Sequence, residues 1–332
     1  MIDYLKKLVN KKDLSEVEIS EIFEAIIAGT VNSILIGAIL TALTMKGETI
    51  EEILGVVKVM RKYMEKIKVD GEVIDTCGTG GDGARTINVS TIVSLLCATN
   101  GIKVAKHGNR SVSSQCGSFD VLEKLGVKIV MSKEKAKKCL EEINLTCLFA
   151  PLYHPAMKNI APVRQQLGIR TIFNVIGPLL NPVGATHQLI GVYSEDIAKK
   201  LGEILMRLGS KKVLLVHSSD GLDEISMAAP TRVYEFVQGR KMKSYMVEPD
   251  GKYKLADVRG SGPDENARIM ERILRGQGSD AQNEFVALNT AGAMLAVGSV
   301  ESFSAGKAEA YKLLNSGAGL KKLEELIVCS NG

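Results

Sequence analysis

Apolar positions in the first 65 residues recur with the spacing of helices. Ile19, Ile22, Phe23, Ile26 and Ile27 fall at i, i+3, i+4 intervals and form one face, and Gly29 stops that helix. Asn32 is placed to cap a second helix over 33–45, closed by Gly47. Thr49 is placed to cap a third, whose Ile50, Ile53, Val56, Val57 and Met60 turn inward. The short connections predict a small antiparallel helical domain.

From Val73 the pattern becomes strand, glycine loop, helix, strand. Apolar runs predict strands at 73–74, 102–105, 145–149, 188–193 and 213–217, with helices at 89–99, 119–125, 133–143 and 195–208 between them. Such alternation predicts a mostly parallel central sheet flanked by helices. Residues 231–247, around Gln238 and Gly239, read as a hairpin, and helices follow at 266–274, 280–296, 302–314 and 319–328. The expected fold is α/β with a smaller all-helical N-terminal domain. The helical domain takes residues 1–68, joined by helices from about 154–182, and the α/β domain takes 69–332.

Composition agrees with two domains in 332 residues: 45% hydrophobic and 24% charged residues exclude a disordered or fibrous chain. The net charge of +4 is spread along the sequence, so no nucleic-acid partner is expected. The longest nearly apolar stretch, 34–45, falls well short of the roughly 20 residues that span a bilayer, and the first residues contain no long apolar core. No membrane association is expected. Six cysteines without a C-x-x-C pair predict free thiols in a reducing cytoplasm.

Candidate chemistry gathers in two loops. Residues 75–83, DTCGTGGDG, satisfy G-x-G-x-x-G, yet no Asp or Glu occurs from Gly83 to Ser118 to hold a dinucleotide ribose. No Gly-Lys-Ser/Thr follows, so a P-loop fails too. A tight turn without a ligand remains open, although it needs fewer glycines. Thr86, Asn88, Ser90 and Thr91 place short donors at the start of the next helix, where backbone N–H groups attract anions. Residues 106–114, KHGNRSVSS, add Lys106, His107, Asn109, Arg110, Ser111, Ser113 and Ser114, with Ser118 beyond. Two donor-rich loops at adjacent strand ends point to a phosphate-bearing ligand.

These motifs, with NVST at 88–91, RQQLGIRTIFNVIGPLLNP at 164–182 and GLDEIS at 221–226, closely resemble the anthranilate phosphoribosyltransferases. The resemblance extends over essentially the whole chain; only Cys77 and Cys116 stand where other small residues are common. It implies a fold of the nucleoside phosphorylase/phosphoribosyltransferase type, with the active site in the cleft between domains. The implied reaction moves the 5-phosphoribosyl group of phosphoribosyl pyrophosphate (PRPP) to the amine of anthranilate, in tryptophan biosynthesis. It also implies Mg²⁺ as cofactor and a homodimer joined through the helical domain.

Carried over by residue, the PRPP site comprises Gly78, Gly81, Asp82, Thr86, Asn88, Val89, Ser90, Thr91, Lys106, His107, Gly108, Asn109, Arg110, Ser111, Val112, Ser113, Ser114 and Ser118. Anthranilate would meet Gly78, His107, Asn109, His154, Arg164 and Pro178, the last with Gly177 shaping an apolar wall. His154 is equally open to a structural role. Ser90, Asp223 and Glu224 would hold Mg²⁺ through hard oxygen ligands. His187 and His217 receive no role. No covalent nucleophile is expected, so the implied path is a dissociative substitution.

Two rivals share parts of this pattern. A pyrimidine nucleoside phosphorylase has the same fold, but KHGNR followed by serines and the RTIFN–GPLLNP stretch favour the transferase. A nucleic-acid-binding paralogue would carry a concentrated basic surface and eroded acceptor motifs, and neither feature is present.

Overall fold

Four helices open the chain, and side-chain caps set the start of the last three. In the computed structural model, which describes residues 1–80, 83–110 and 116–332, these are α1 (Ile2–Val9), α2 (Glu16–Ile27), α3 (Ser33–Lys46) and α4 (Ile50–Tyr63). Asn32 Oδ1 accepts from Leu35 N at 2.9 Å, and Thr49 Oγ1 accepts from Glu52 N at 3.2 Å, as the sequence predicts. Ile19, Ile22, Phe23 and Ile26 of α2 are buried with Ile53, Val56, Val57 and Met60 of α4. Fully buried Glu52 accepts from Leu14 N at 2.9 Å and Lys46 Nζ at 2.9 Å, so its charge is matched where it is desolvated.

The chain then runs through β1 (Ile74–Gly78), α5 (Val89–Thr99), β2 (Val104–Gly108), α6 (Ser118–Lys124), α7 (Lys133–Ile143) and β3 (Leu145–Phe149). Two short helices follow, α8 (Ala150–Tyr153) and α9 (Ala161–Leu167), among 3₁₀ turns at Pro155–Asn159, Ile172–Asn174 and Gly177–Leu179. The remainder is β4 (His187–Gly191), α10 (Glu195–Arg207), β5 (Lys212–Ser218), the hairpin β6 (Thr231–Val237) and β7 (Lys243–Val247), then α11 (Pro263–Leu274), α12 (Asp280–Val297), α13 (Phe303–Ser316) and α14 (Ala318–Asn331). Met1–Lys66 and Pro151–Pro182 form one compact unit; Ile67–Ala150 and Val183–Gly332 form the other.

The second unit is built on one seven-stranded sheet in the order β3-β2-β1-β4-β5-β6-β7. The first five strands in that order are parallel, and β6 and β7 are antiparallel. The α/β class with a mostly parallel sheet is therefore observed. The largest boundary differences are at β1 and β2, which run on through residues that read as loop. Asp75 to Gly78 stay in register with Gln188 to Gly191, and Lys106, His107 and Gly108 pair with Cys147, Leu148 and Phe149. A strand with neighbours on both sides satisfies its ladder whatever its side chains, so polar residues extend it where propensity alone would end it. Helices α5 and α12 pack over this sheet, and their apolar faces build the core with Ile74, Val104, Leu189 and Leu214.

Candidate active site

The order of the strands makes one crevice. From β1 the chain steps outward through β2 and β3, whereas β4 lies on the other side of β1 and leads to β5. Loops leaving β1 and β4 thus diverge, and ligands of open α/β sheets bind at such a switch point. The final register pair there is Gly78 with Gly191. A Cβ on Gly191 would lie 1.3 Å from the Asp223 carbonyl oxygen, and one on Gly78 would lie 2.4 Å from Asp223 Oδ2. Only glycines leave room for this acid. Gly80 N donates to Asp223 Oδ2 at 2.7 Å, which ties the glycine loop to the GLDEIS segment.

That segment is fixed from several directions. Asp220 accepts from Leu222 N at 3.2 Å and from Ser226 Oγ at 2.8 Å. Asn289, buried on α12, accepts from Ile225 N and donates to Ile225 O, both at 2.9 Å. Asp223 is buried and Glu224 half-buried. With Ser90, Thr76, Gly191 and Asn289 they line a cavity of about 20 Å³, enough for one water-sized species. Two carboxylates and a hydroxyl are a donor set for a hard divalent cation. Among the described residues, no three His, Cys, Asp or Glu converge as a metal cage. A cation here would fill its remaining positions with water and ligand oxygens.

Beneath the crevice lies Lys106, a strand residue only 2% exposed. Its Nζ donates to Thr76 O and Ser90 Oγ, both at 3.0 Å. Burial pushes its pKa below the usual lysine value, and the nearby Asp75 charge works against that. Asp75 Oδ1 in turn accepts from His107 N at 3.3 Å. Thr91 is buried in the first turn of α5, and Val89 belongs to the hydrophobic core. The Asn88 side chain does not cap α5, because its oxygen accepts from Asn266 Nδ2 at 2.9 Å. Thr86 Oγ1 lies 3.5 Å from Glu224 Oε2.

The loop after β2 carries a neutralised charge. Arg110 makes two 2.8 Å bonds to Glu123 and stacks 4.9 Å from the Phe149 ring centre. The acid-free stretch therefore acquires acids in space, from Glu123, Asp223 and Glu224. The Arg110–Glu123 pair is exposed and weak, so a phosphate can compete for the guanidinium. Asn109 is exposed, with its side-chain oxygen accepting from Arg110 N at 2.8 Å; Gly108 ends β2, and Ser118 opens α6. Gly81, Asp82, Ser111, Val112, Ser113 and Ser114 lie outside the described residues.

The expected acceptor residues Arg164, His154 and Pro178 belong to the helical unit. Arg164, on α9, is half-buried with its guanidinium 5.1 Å above the Phe173 ring. Among the described residues no carboxylate forms an ion pair with it, and burial lowers its pKa. Burial likewise pushes His154 down to about 4, against a backbone hydrogen bond with Leu180. Pro178 is buried in a 3₁₀ turn whose Leu179 carbonyl accepts from Arg61 Nε at 2.8 Å. His187 Nδ1 lies 3.0 Å from Thr186 Oγ1, and His217 Nδ1 lies 2.9 Å from Val192 O.

Sequence reasoning missed Gly191, Asn289 and Arg61. Asn289 had a signal, as one amide within the small and apolar run of α12. Gly191 ends an ordinary apolar strand, and Arg61 sits among helix surface residues.

A parallel sheet whose switch point presents glycines, hydroxyls and a carboxylate pair, accompanied by a helical unit, defines a class of group-transfer enzymes. Two family models match accordingly: the helical bundle domain of a glycosyl transferase family at residues 2–64, and its a/b domain at 70–320. An anthranilate phosphoribosyltransferase of Methanobrevibacter smithii is 46% identical, over 98% of each chain. The crystal structure of the Thermus thermophilus enzyme of that name superposes with a TM-score of 0.92 at 36% identity, covering 99% of this chain and 100% of the other. The Saccharomyces cerevisiae enzyme, solved in complex with PRPP and Mg, gives 0.90 at 28% identity, covering 99% and 97%. The chain belongs to the anthranilate phosphoribosyltransferase family.

Proposed function

We propose that this protein transfers the 5-phosphoribosyl group from PRPP to the amine of anthranilate, releasing N-(5-phosphoribosyl)anthranilate and pyrophosphate in tryptophan biosynthesis. The observation that carries this reading is the carboxylate pair Asp223–Glu224, held at the sheet's switch point against the glycine loop and Ser90. PRPP takes the residues from Gly78 to Thr91 and from Lys106 to Ser118 named above. Anthranilate takes Arg164 for its carboxylate, Asn109 for its amine, and His107, His154, Gly78 and Pro178 around its ring. Residues 1–68 with the helices of 154–182 act as the helical domain, and 69–332 as the donor-binding domain.

Asp223, Glu224 and Ser90 hold Mg²⁺, which when bound neutralises charge on the departing pyrophosphate. Lys106 donates to Ser90 Oγ, which takes one of that oxygen's two lone pairs and leaves the other for a cation. The buried ammonium also places fixed positive charge below the crevice, at no reorganisation cost during reaction. An aromatic amine needs no prior deprotonation to attack. The chain's task is therefore to hold the amine behind the ribosyl carbon while pyrophosphate leaves, which is catalysis by positioning. Covalent catalysis has no role in this scheme.

The test is the loss of anthranilate fluorescence, read in a chain without Trp. Loss should require both PRPP and Mg²⁺ and should disappear in an Asp223→Asn, Glu224→Gln double variant. Undiminished Mg²⁺-dependent turnover in that variant removes the metal assignment, and phosphorolysis of a pyrimidine nucleoside instead would favour the rival enzyme.

The protein also acts as a homodimer in the cytoplasm. Among the described residues, no helix is long and apolar enough to cross a membrane. Helix α3 exposes Ile34 and Met45, and a groove of about 360 Å³ between α3 and α9 is lined by Ile34, Gly37, Ala38, Val163 and Leu167. Apolar surface of this kind favours a second copy. Sedimentation at twice the chain mass supports the dimer, and a monomer mass refutes it.

A further inference from the structure

Six cysteines are distributed over the α/β unit, and none has a place in the proposed reaction. Four of them are far from pairing chemistry in character. Cys97 and Cys147 are buried, with thiols pushed up to about 12 by desolvation, and Cys116 donates weakly to Asn88. Cys77 follows the run of buried residues on β1 and is half-buried. The other two differ. Cys139, on α7, is fully buried, and Cys329, in the last turn of α14, is half-buried. Their sulfurs lie 2.6 Å apart although 190 residues separate them. That is within about 0.6 Å of the covalent S–S length of about 2.05 Å.

The approach is held in place by the surrounding structure. Ser330 Oγ accepts from Lys128 N at 3.1 Å, Asn331 Nδ2 donates to Gly126 O at 2.9 Å, and Lys322 Nζ donates to Ile143 O at 3.1 Å. These bonds flank Cys329 along α14 and fix its register against the segment that leads into α7 and the end of α7 itself. The two sulfurs therefore already lie side by side in the fold.

We propose that Cys139 and Cys329 are a disulfide site, which fastens α14 to α7 when a low-molecular-weight disulfide is available as oxidant. Cys329, the accessible partner, attacks one sulfur of that oxidant as thiolate and expels the first small thiolate. The Cys139 sulfur then attacks Cys329 Sγ in the mixed disulfide, loses its proton and expels the second. Two protein thiols become one S–S bond, and the small disulfide, taking up two electrons and two protons, becomes two thiols. Burial raises the Cys139 thiol well above its ordinary value, which makes it the resolving partner and not the first attacker. The bond would close a very long loop, the case in which cross-linking restricts the unfolded chain most. Both cysteines lie outside the residues assigned to substrates and metal, so the bond acts on stability and not on turnover.

The experiment equilibrates the full chain with oxidised or reduced glutathione as the probe, followed by thiol counting in denaturant and peptide mapping. Six free thiols in the reduced chain should become four in the oxidised chain. A peptide joining Cys139 to Cys329 should appear, and the Tm should rise by about 5 °C on oxidation. Cys139→Ser and Cys329→Ser variants should each keep five thiols under reducing conditions, lose the linked peptide and lose the redox dependence of Tm. Six titratable thiols after oxidation, or a linked peptide from any other pair, overturns the proposal. Unequal anthranilate turnover by the oxidised and reduced forms would overturn the claim that the bond acts on stability alone.

Discussion

Replacing Gly191 by Ala should disable the enzyme while leaving most of its fold in place. The added Cβ would start 1.3 Å from the Asp223 carbonyl oxygen, and ordinary contact begins at 3.4 Å, so the acidic segment must retreat by about 2 Å. The neighbour is backbone, not the tip of a flexible side chain, and the segment is anchored by Asn289, Asp220 and Thr231. Overpacking of this kind costs about 1–3 kcal/mol of stability. The catalytic cost is larger, because a misplacement of about 1 Å is worth about 100-fold. We expect kcat/KM to fall at least about 100-fold, with a higher Mg²⁺ requirement, in the anthranilate fluorescence assay. Gly262→Ala is the control, because a Cβ there meets nothing within 4 Å. A Gly191→Ala enzyme with kcat/KM within threefold of the parent and the same Mg²⁺ curve would refute the steric argument. Circular dichroism and Tm separate this outcome from simple unfolding.

Two further outcomes follow from the helical unit. Arg164→Ala should raise the KM for anthranilate about 10- to 100-fold, the worth of one charge-assisted hydrogen bond, with little change for PRPP; equal effects on both substrates would count against the assignment. His154 stays neutral in the fold down to about pH 4, whereas its unfolded value is near 6.5. Its folded pKa is depressed, so its contribution is complete above pH 6.5 and is lost as pH falls toward 4. At about 1.4 kcal/mol per unit this amounts to about 3 kcal/mol. Urea unfolding at pH 7 and pH 4.5 should therefore show a smaller acid loss in His154→Asn than in the parent, and identical losses would dispose of the linkage.

Much of this architecture is legible in the chain because its signals are local. Asn32 and Thr49 cap the helices they precede, and the apolar faces of α2 and α4 follow from spacing alone. The strand pattern gives the parallel sheet, and the glycine loop and GLDEIS segment mark the crevice residues. What stays hidden depends on contacts between distant positions. Lys106 reads as a loop cation offered to a ligand, yet pairing with β3 makes it a buried strand residue bonded to Ser90. Arg110 reads as an unneutralised charge until α6 brings Glu123 beside it. Asn88 reads as a polar group offered to a ligand until α11 brings Asn266, whose amide donates to its side-chain oxygen. In each case a residue's own type gives the chemistry it can do, and the fold decides which partner receives it.

The hold of Asn289 on Ile225 has a dynamic consequence. By accepting from the amide and donating to the carbonyl of one residue, a single side chain acts as the adjacent strand that this loop lacks. The loop is thereby joined to α12, most of whose residues are buried. Its opening is then coupled to that buried helix and not to the fraying of surface loops. The carboxylates should therefore stay aligned while surface loops fluctuate, so that the metal half of the site melts with the core.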